Sequence, residues 1–286
     1  MEPGELRAYS RGMMVRPAWQ GYRGISRLFG VAFQHLLQQY DGQLRIVWGE
    51  ARSASVKPQA VAESIGMKPV GILPGKDLFF GKRETAIIVA VYSTRAWTSR
   101  DTNISLVARL KPIYQHVRNL FNPMSKDCLE IREPPSFLSS IKNDMIDVFY
   151  SKGAYGYTNY TFSCQTTGSF LRLTVNEQCL NAEHMEMQCP EAGEAVALLN
   201  FAIEHLRKKK IQFIEGKCPV NNLGLQRAFI SAGMHPLGYL PAWSKDPVSG
   251  LNVDHVVFGW GDLSIDPNST KLSSTATALA RACFFE

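Results

Sequence analysis

A long-range internal repeat constrains this chain more than any other feature. Residues 44–74 align without a gap on residues 211–241, at an offset of 167 (Gly49 onto Gly216). Eight positions are identical: Gly49/Gly216, Gln59/Gln226, Gly66/Gly233, Met67/Met234, Pro69/Pro236, Gly71/Gly238, Leu73/Leu240 and Pro74/Pro241. Apolar positions also correspond, as in Leu44/Ile211, Ile46/Phe213 and Val47/Ile214. The offset exceeds the period of stacked-repeat arrays, so it describes two related domains rather than a solenoid. A length of 286 residues accommodates two domains of ordinary size.

Both copies carry the same local signals. A short alternating strand (44–47; 211–214) runs to a glycine turn, and a helix follows (58–65; 223–232), stopped by glycine at its C-terminal cap. Pro-x-Gly-x-Leu-Pro then opens an extended segment, and an apolar strand (85–92; 255–260) closes the unit. Ahead of each stands a longer amphipathic helix, 26–40 and 194–208. Leu28, Phe29, Ala32, Phe33, Leu36 and Leu37 line one face of the first. Between the units, 105–121 and 135–149 read as helices, while 155–165, 170–175 and 182–188 read as strands. Residues 264–274 read as a mobile polar end. This order predicts an α/β fold, an α+β mixed sheet, divided into 1–95, 96–262 and a tail 263–286. The first unit then lacks N-terminal strands that the second possesses: either the chain is a fragment, or a partner chain or the second unit supplies them. An open edge there is otherwise an aggregation liability.

Composition narrows the setting. Hydrophobic residues make up 45% and charged residues 20%, too apolar for a disordered tail. No apolar run approaches the roughly 18–20 residues a membrane helix needs. Met1-Glu2-Pro3-Gly4-Glu5 carries acid where a signal peptide carries positive charge. A soluble cytoplasmic chain without a membrane partner is expected. The six cysteines (Cys128, Cys164, Cys179, Cys189, Cys218, Cys283) have no C-x-x-C spacing and read as free thiols. The six histidines show no metal-ligand spacing, so no metal is expected. A net charge of +6 suits anionic partners: nucleic acid, a phosphorylated cofactor or an acidic carrier protein. Nucleic acid rests on charge alone, because Arg207-Lys208-Lys209-Lys210 ends a helix, where cations complement the dipole.

One loop carries chemistry. Val15-Arg16-Pro17-Ala18-Trp19-Gln20-Gly21-Tyr22-Arg23-Gly24-Ile25-Ser26 follows a strand ending at Val15 and opens the first long helix at Ser26. Glycines let backbone amides approach a ligand closely. A helix N-terminus adds unpaired N–H groups and positive dipole, and Arg16 and Arg23 add charge of the same sign. Together these make a phosphate cradle. An ordinary tight turn has the same outline.

The pattern Val-x-Pro, then Gly21 and Gly24, Ile25, Ser26 and an amphipathic helix, resembles the acyl-CoA-binding motif of the GNAT-type N-acetyltransferase superfamily. That motif reads Arg/Gln-x-x-Gly-x-Gly/Ala. The later strand, helix and Gly-Met-x-Pro-x-Gly resemble the same family's second half. The resemblance implies tandem GNAT-like units, acetyl-CoA or another acyl-CoA as co-substrate, and acyl transfer to an amine on a small molecule or protein. By this likeness the CoA pyrophosphate sits on backbone amides of Gly21, Tyr22, Arg23, Gly24, Ile25 and Ser26, flanked by Arg16, with Val15 beside the pantetheine arm. The chain also departs from the pattern. Gly21 takes the motif's first position, and Ser26 replaces its last small residue. Where the family often has a tyrosine acid this chain has Ala62 and Phe229, and where it has an asparagine this chain has Ser55 and Asn222. No catalytic acid or base is assigned.

The second copy differs in charge. Under the offset, Gly24 falls on Glu191 and Arg16 on Glu183, and 183–194 holds four glutamates without a lysine or arginine. Carboxylates repel a pyrophosphate, so the second copy reads as degenerate, forming an acceptor wall or a partner surface. Two functions stand: an acyl-CoA-dependent N-acyltransferase, and a non-catalytic acyl-CoA-binding or structural subunit that a partner chain completes. Glu50 and Ser55, near the C-terminal end of a strand, are candidates to touch the acyl group. Trp243 either packs at a strand end or lines a cleft.

Overall fold

The computed structural model describes residues 6–10, 16, 18, 22, 24–40, 43–133 and 143–284. The first repeat contributes β1 (Arg7–Tyr9), α1 (Gly24–Gln39), β2 (Ile46–Arg52), α2 (Lys57–Ser64), β3 (Lys68–Phe79) and β4 (Lys82–Tyr92). A middle segment follows: α3 (Thr94–Thr98), β5 (Asn103–Leu106), α4 (Lys111–Leu120) and β6 (Cys128–Ile131). Then come β7 (Ile146–Lys152), β8 (Tyr157–Cys164), β9 (Phe170–Asn176) and β10 (Asn181–Gln188). After them come α5 (Ala192–Lys208), β11 (Phe213–Pro219), α6 (Leu223–Ser231), β12 (His235–Lys245), β13 (Asn252–Gly261) and α7 (Ser274–Phe284).

Among the described residues eleven strands form one mixed sheet, in the order β1-β2-β4-β3-β12-β13-β11-β10-β9-β8-β7, while β5 and β6 make a small parallel pair. The order β1-β2-β4-β3 recurs beyond the junction as β10-β11-β13-β12, and β1–β2 and β10–β11 are parallel pairs. The halves meet where Gly71 of β3 pairs antiparallel with Gly238 of β12. Those two glycines are also a matched pair of the repeat, so equivalent residues face each other as across a local two-fold axis. Only glycine fits at Gly238, because an added Cβ would lie 2.5 Å from the Gly71 Cα and 2.6 Å from the Val70 carbonyl.

Helices cover one face. The α5 helix packs on α6 and α4 on α7, and the turn before α7 is tied to α2, with Ser273 bound to Gln59 and Glu63. Phe229 of α6 stacks on Phe258 of β13 and would collide with any side chain at Gly216. Glu215 and Lys217 flank Gly216 and therefore face the other way. On that second face the hairpin tips cross. The β3–β4 tip reaches the far half, where Asn181 Nδ2 donates to the Lys76 carbonyl (3.2 Å) and Arg83 donates to Gln212 (3.0 Å). The β12–β13 tip reaches back, where Arg7 donates to the Trp243 carbonyl (2.9 Å) and Arg45 pairs with Asn252.

Several expectations are corrected. Gly49 and Gly216 lie inside strands rather than at turns. Their role is close approach, since a Cβ on Gly49 would sit 3.0 Å from the Ser10 carbonyl. The expected apolar face of α1 is buried only in part: Phe33 is, but Leu28 and Leu36 are 69% and 41% exposed. Within 105–121 only Lys111–Leu120 is α-helical, and a β strand, Ile146–Lys152, occupies the end of 135–149. The segment read as a mobile end leads instead into α7, whose Ala276, Leu279, Ala280 and Cys283 are buried. Upstream of the helices the 167 offset fails. Sheet register pairs Arg7 with Ile46 and Asn181 with its counterpart Phe213, so Glu183 stands where Tyr9 does, not Arg16. All six cysteines are free thiols, and among the described residues no helix is long and apolar enough to cross a membrane.

Candidate functional site

The loop singled out in the sequence is described only in part. Val15, Gly21 and Arg23 lie outside the described residues, as does the strand end expected at Val15; the strand that is described, β1, ends at Tyr9. Arg16 and Tyr22 are exposed, and Gly24, Ile25 and Ser26 form the first turn of α1, which therefore starts two residues earlier than expected. The first amides of a helix have no partner within it. No acidic residue stands in this first turn, so nothing there opposes the positive end of the helix dipole. A Cβ on Gly24 would fall 2.7 Å from the Tyr22 ring. The helix start therefore fits an anionic group. In α5 the corresponding turn begins at Glu191 and contains Glu194, buried and bonded to Ser169.

Beside α1 lies a small cavity of about 110 Å³, lined by Ser10, Phe29, Gly49, Glu50, Pro58 and Ala62 among others. Glu50 is thus brought to a cavity wall at the end of a parallel strand, where ligands gather in α/β sheets. Ser55 is not among the residues lining this cavity; its Oγ accepts from the Lys57 amide (3.2 Å) and supports the start of α2. Ala62 lines the cavity without a proton to give, and Phe229 is buried in the stack with Phe258.

The second cluster was missed in the sequence. Lys76 is buried, and its ammonium meets Glu50 at 2.7 Å, Glu183 at 3.1 Å and Glu215 at 3.3 Å. Burial works against the ammonium, yet Glu215, Glu50 and Glu183 outweigh it and hold Lys76 above the usual lysine range. Burial raises Glu50. Against burial, Lys217 and Lys76 pull Glu215 down to about 2. Tyr9 is pushed up to about 12 by burial and by Glu50. The carboxylates come from β2, β10 and β11, so no local spacing reveals them.

A cavity of about 290 Å³ lies beside this cluster, lined by Arg7, Trp48, Glu215, Lys217, Trp243 and His255 with three neighbours. Trp243 therefore lines a cleft and also packs, meeting Trp48 edge-on at 5.1 Å. His255 Nε2 lies 2.7 Å from the Ser244 hydroxyl, and its Nδ1 has no hydrogen-bond partner among the described residues. Burial, then Arg7 and Lys217, pull His255 down to about 3, leaving a neutral ring.

No family profile and no curated relative matches the sequence. Among solved structures the likeness is partial. The ribosomal-protein-S18-alanine N-acetyltransferase of Escherichia coli is 25% identical, over 30% of this chain and 54% of its own, with a TM-score of 0.27. RimL, a ribosomal L7/L12 alpha-N-protein acetyltransferase solved with coenzyme A, is 19% identical over 32% and 51%, at 0.29. Spermidine N-acetyltransferase of Vibrio cholerae is 15% identical over 37% and 66%, at 0.32. This chain spans about half the length of the first two. Over about a third of its length, then, this mixed α/β chain is similar to GNAT acetyltransferases of known structure.

Proposed function

We propose that the chain is an acyl-CoA-dependent N-acyltransferase of tandem GNAT-like units, 1–95 and 96–262, with acyl-CoA held by the first. The observation that carries this reading is the start of α1. It opens on Gly24 with no acid in its first turn, in the crossover between parallel strands β1 and β2, beside a cavity walled by Gly49 and Glu50. Backbone amides of Gly24, Ile25 and Ser26, with Arg16, would hold the pyrophosphate. Gly21, Tyr22, Arg23 and Val15 complete the expected loop. Bound acyl-CoA supplies an acyl thioester. The amine nitrogen bonds to the acyl carbon as the carbon–sulfur bond breaks, the amine losing a proton and the thiol gaining one. The chain's part is to place the amine beside the thioester, which alone lowers the barrier substantially.

A second reading, a subunit that binds acyl-CoA without turnover, is favoured by Ala62 and Phe229 at the two positions where a proton donor would stand. One experiment separates the two. Acetyl-CoA is expected to raise the melting temperature of the wild type and not of Gly24→Glu, which imitates Glu191 of the second repeat. No shift with wild type sinks acyl-CoA binding. A shift without CoA release across a panel of amines favours the second reading.

A further inference from the structure

We propose that residues 271–284 latch α2 in place, and that Gln59, which grips this latch, is a positioning residue for the acyl-CoA cavity of the first repeat. The effect on acyl-CoA rests on the transferase reading; the latch itself rests on hydrogen bonds within the chain.

Gln59 and Gln226 are a matched pair of the repeat, and both are buried. Each side-chain amide donates and accepts as a backbone group would. Gln226 accepts from the Val107 amide (3.1 Å) and donates to the Ser105 carbonyl (3.0 Å). Gln59 accepts from the Ser273 amide (2.8 Å) and donates to the Lys271 carbonyl (2.7 Å). The bound stretches therefore correspond, each giving a carbonyl and, two residues on, an amide. Each also leaves the last strand of one repeat and is held by the glutamine of the other. Residues 105–107 follow β4 and are bound to α6, whereas residues 271–273 follow β13 and are bound to α2. The helices that come next cross in the same way. Here α4 packs on β12 and α7 on β3, and α4 and α7 meet each other.

The two grips carry unequal weight. Helix α6 is capped by Asn222, whose side chain accepts from the Leu225 amide (2.9 Å), and it packs on α5. In α2 the N-cap position holds Val56, which has no acceptor to offer. A helix of eight residues keeps its shape through tertiary contact rather than through its own hydrogen bonds. Of those eight, Gln59 and Ala62 are buried. Gln59 and Glu63, one turn apart, face the latch, where Glu63 accepts from the Ser273 hydroxyl (2.6 Å). Pro58, Val61 and Ala62 line the cavity beside α1. One short helix thus carries the latch on one side and the cavity wall on the other. Because both depend on that helix, binding in the cavity and closure of the latch strengthen each other, by the reciprocity of linked equilibria.

The test compares Gln59→Glu with Gln226→Glu in the full chain. The two substitutions match in size, burial and lost donor, since each sets a carboxylate oxygen against a backbone carbonyl. Without ligand, hydrogen exchange at 57–64 is expected to quicken at least tenfold in Gln59→Glu and to stay within twofold of wild type in Gln226→Glu. Calorimetric titration with acetyl-CoA should show at least tenfold weaker binding to Gln59→Glu and less than a twofold change for Gln226→Glu, even where both melt earlier. Acetyl-CoA should in turn slow exchange at 273–284 of the wild type. Should Gln59→Glu not fold, Ser273→Ala takes its place. It loses the Glu63 bond and the acceptor of the Ala276 amide (3.2 Å), and exchange at 57–64 should rise several-fold. Unchanged exchange at 57–64, or equal losses of acetyl-CoA affinity in the two variants, overturns the proposal. A wild type that acetyl-CoA does not bind refutes the transferase reading instead, and exchange at 57–64 then decides the latch by itself.

Discussion

The two sides of the Gly71–Gly238 junction solve one packing problem with opposite chemistry. On one side Tyr9, Trp48 and Trp243 stack in series, with ring centres 4.5 and 5.1 Å apart. On the other side the counterparts of those residues are Glu183, Glu215 and Lys76, an ionic cluster. The exchange extends one residue further, from Glu50 beside Lys76 to Lys217 beside Trp243. Backbone contacts stay matched, since Arg7 reaches the Trp243 carbonyl as its counterpart Asn181 reaches that of Lys76. A recurring strand order thus fixes where a side chain meets its neighbours and leaves open whether dispersion or charge joins them. The ionic side is the more exacting. Lys76 and Glu215 at its centre are stripped of water and need their partners, whereas aromatic rings lose only contact area when one is trimmed.

The comparison can be broken at either side. Removing the central charge with Lys76→Met should cost about 3–5 kcal/mol, because the carboxylates around it are left buried and unbalanced. Urea titration measures this. The deficit should shrink as pH falls from 7 to 4, since Glu50 is already inclined to take a proton. Trp243→Ala should cost about 3 kcal/mol by leaving a hole between Trp48 and Arg7, with no change of that deficit over the same pH range. A pH-independent loss in Lys76→Met would refute the ionic account.

His255 gives a smaller effect of known sign. It titrates near 3 in the fold, below the ordinary histidine range, because of burial and the cations Arg7 and Lys217; Glu215 and the Ser244 hydroxyl are also nearby. A depressed histidine favours the folded state above its unfolded value of about 6.5 and loses that benefit as pH falls toward the folded value. The loss between these limits should be on the order of a few kcal/mol, and His255→Gln should flatten that part of the stability curve. The smallest contrast lies at the junction itself. Gly238→Ala presses on backbone and should cost about 1–3 kcal/mol, while Gly71→Ala meets the tip of Ile88 at 2.9 Å, a side chain that can turn away, and should cost less. Thermal melts of the pair decide it.

Much of the frame was legible because its signals are local. Helices Lys57–Ser64 and Leu223–Ser231, and strands β8, β9 and β10, fall close to where period and caps put them. The errors share a cause. Gly49 and Gly216 look like turn residues in one dimension, whereas their missing side chains make room for Ser10 and Phe229, distant in the chain. Leu28 and Leu36 satisfy a helical stripe, yet they remain exposed, since periodicity states which face is apolar and not what lies against it. The charged cluster left no trace in spacing, because Lys76 and Glu215 are paired by the crossing of hairpin tips.

By itself the sequence determined the correspondence of residues 44–74 with 211–241, the helix and strands within each of those segments, and a helix start free of acid in the first and acidic in the second. These follow from backbone preferences and charge within a few residues. The tertiary structure alone decided that the copies share one sheet through Gly71 and Gly238, that each hairpin tip crosses to the other half, and that Lys76 sits among three carboxylates. Those outcomes depend on register and burial across the sheet, where free energy is set by which surfaces meet rather than by which residues are neighbours in the chain.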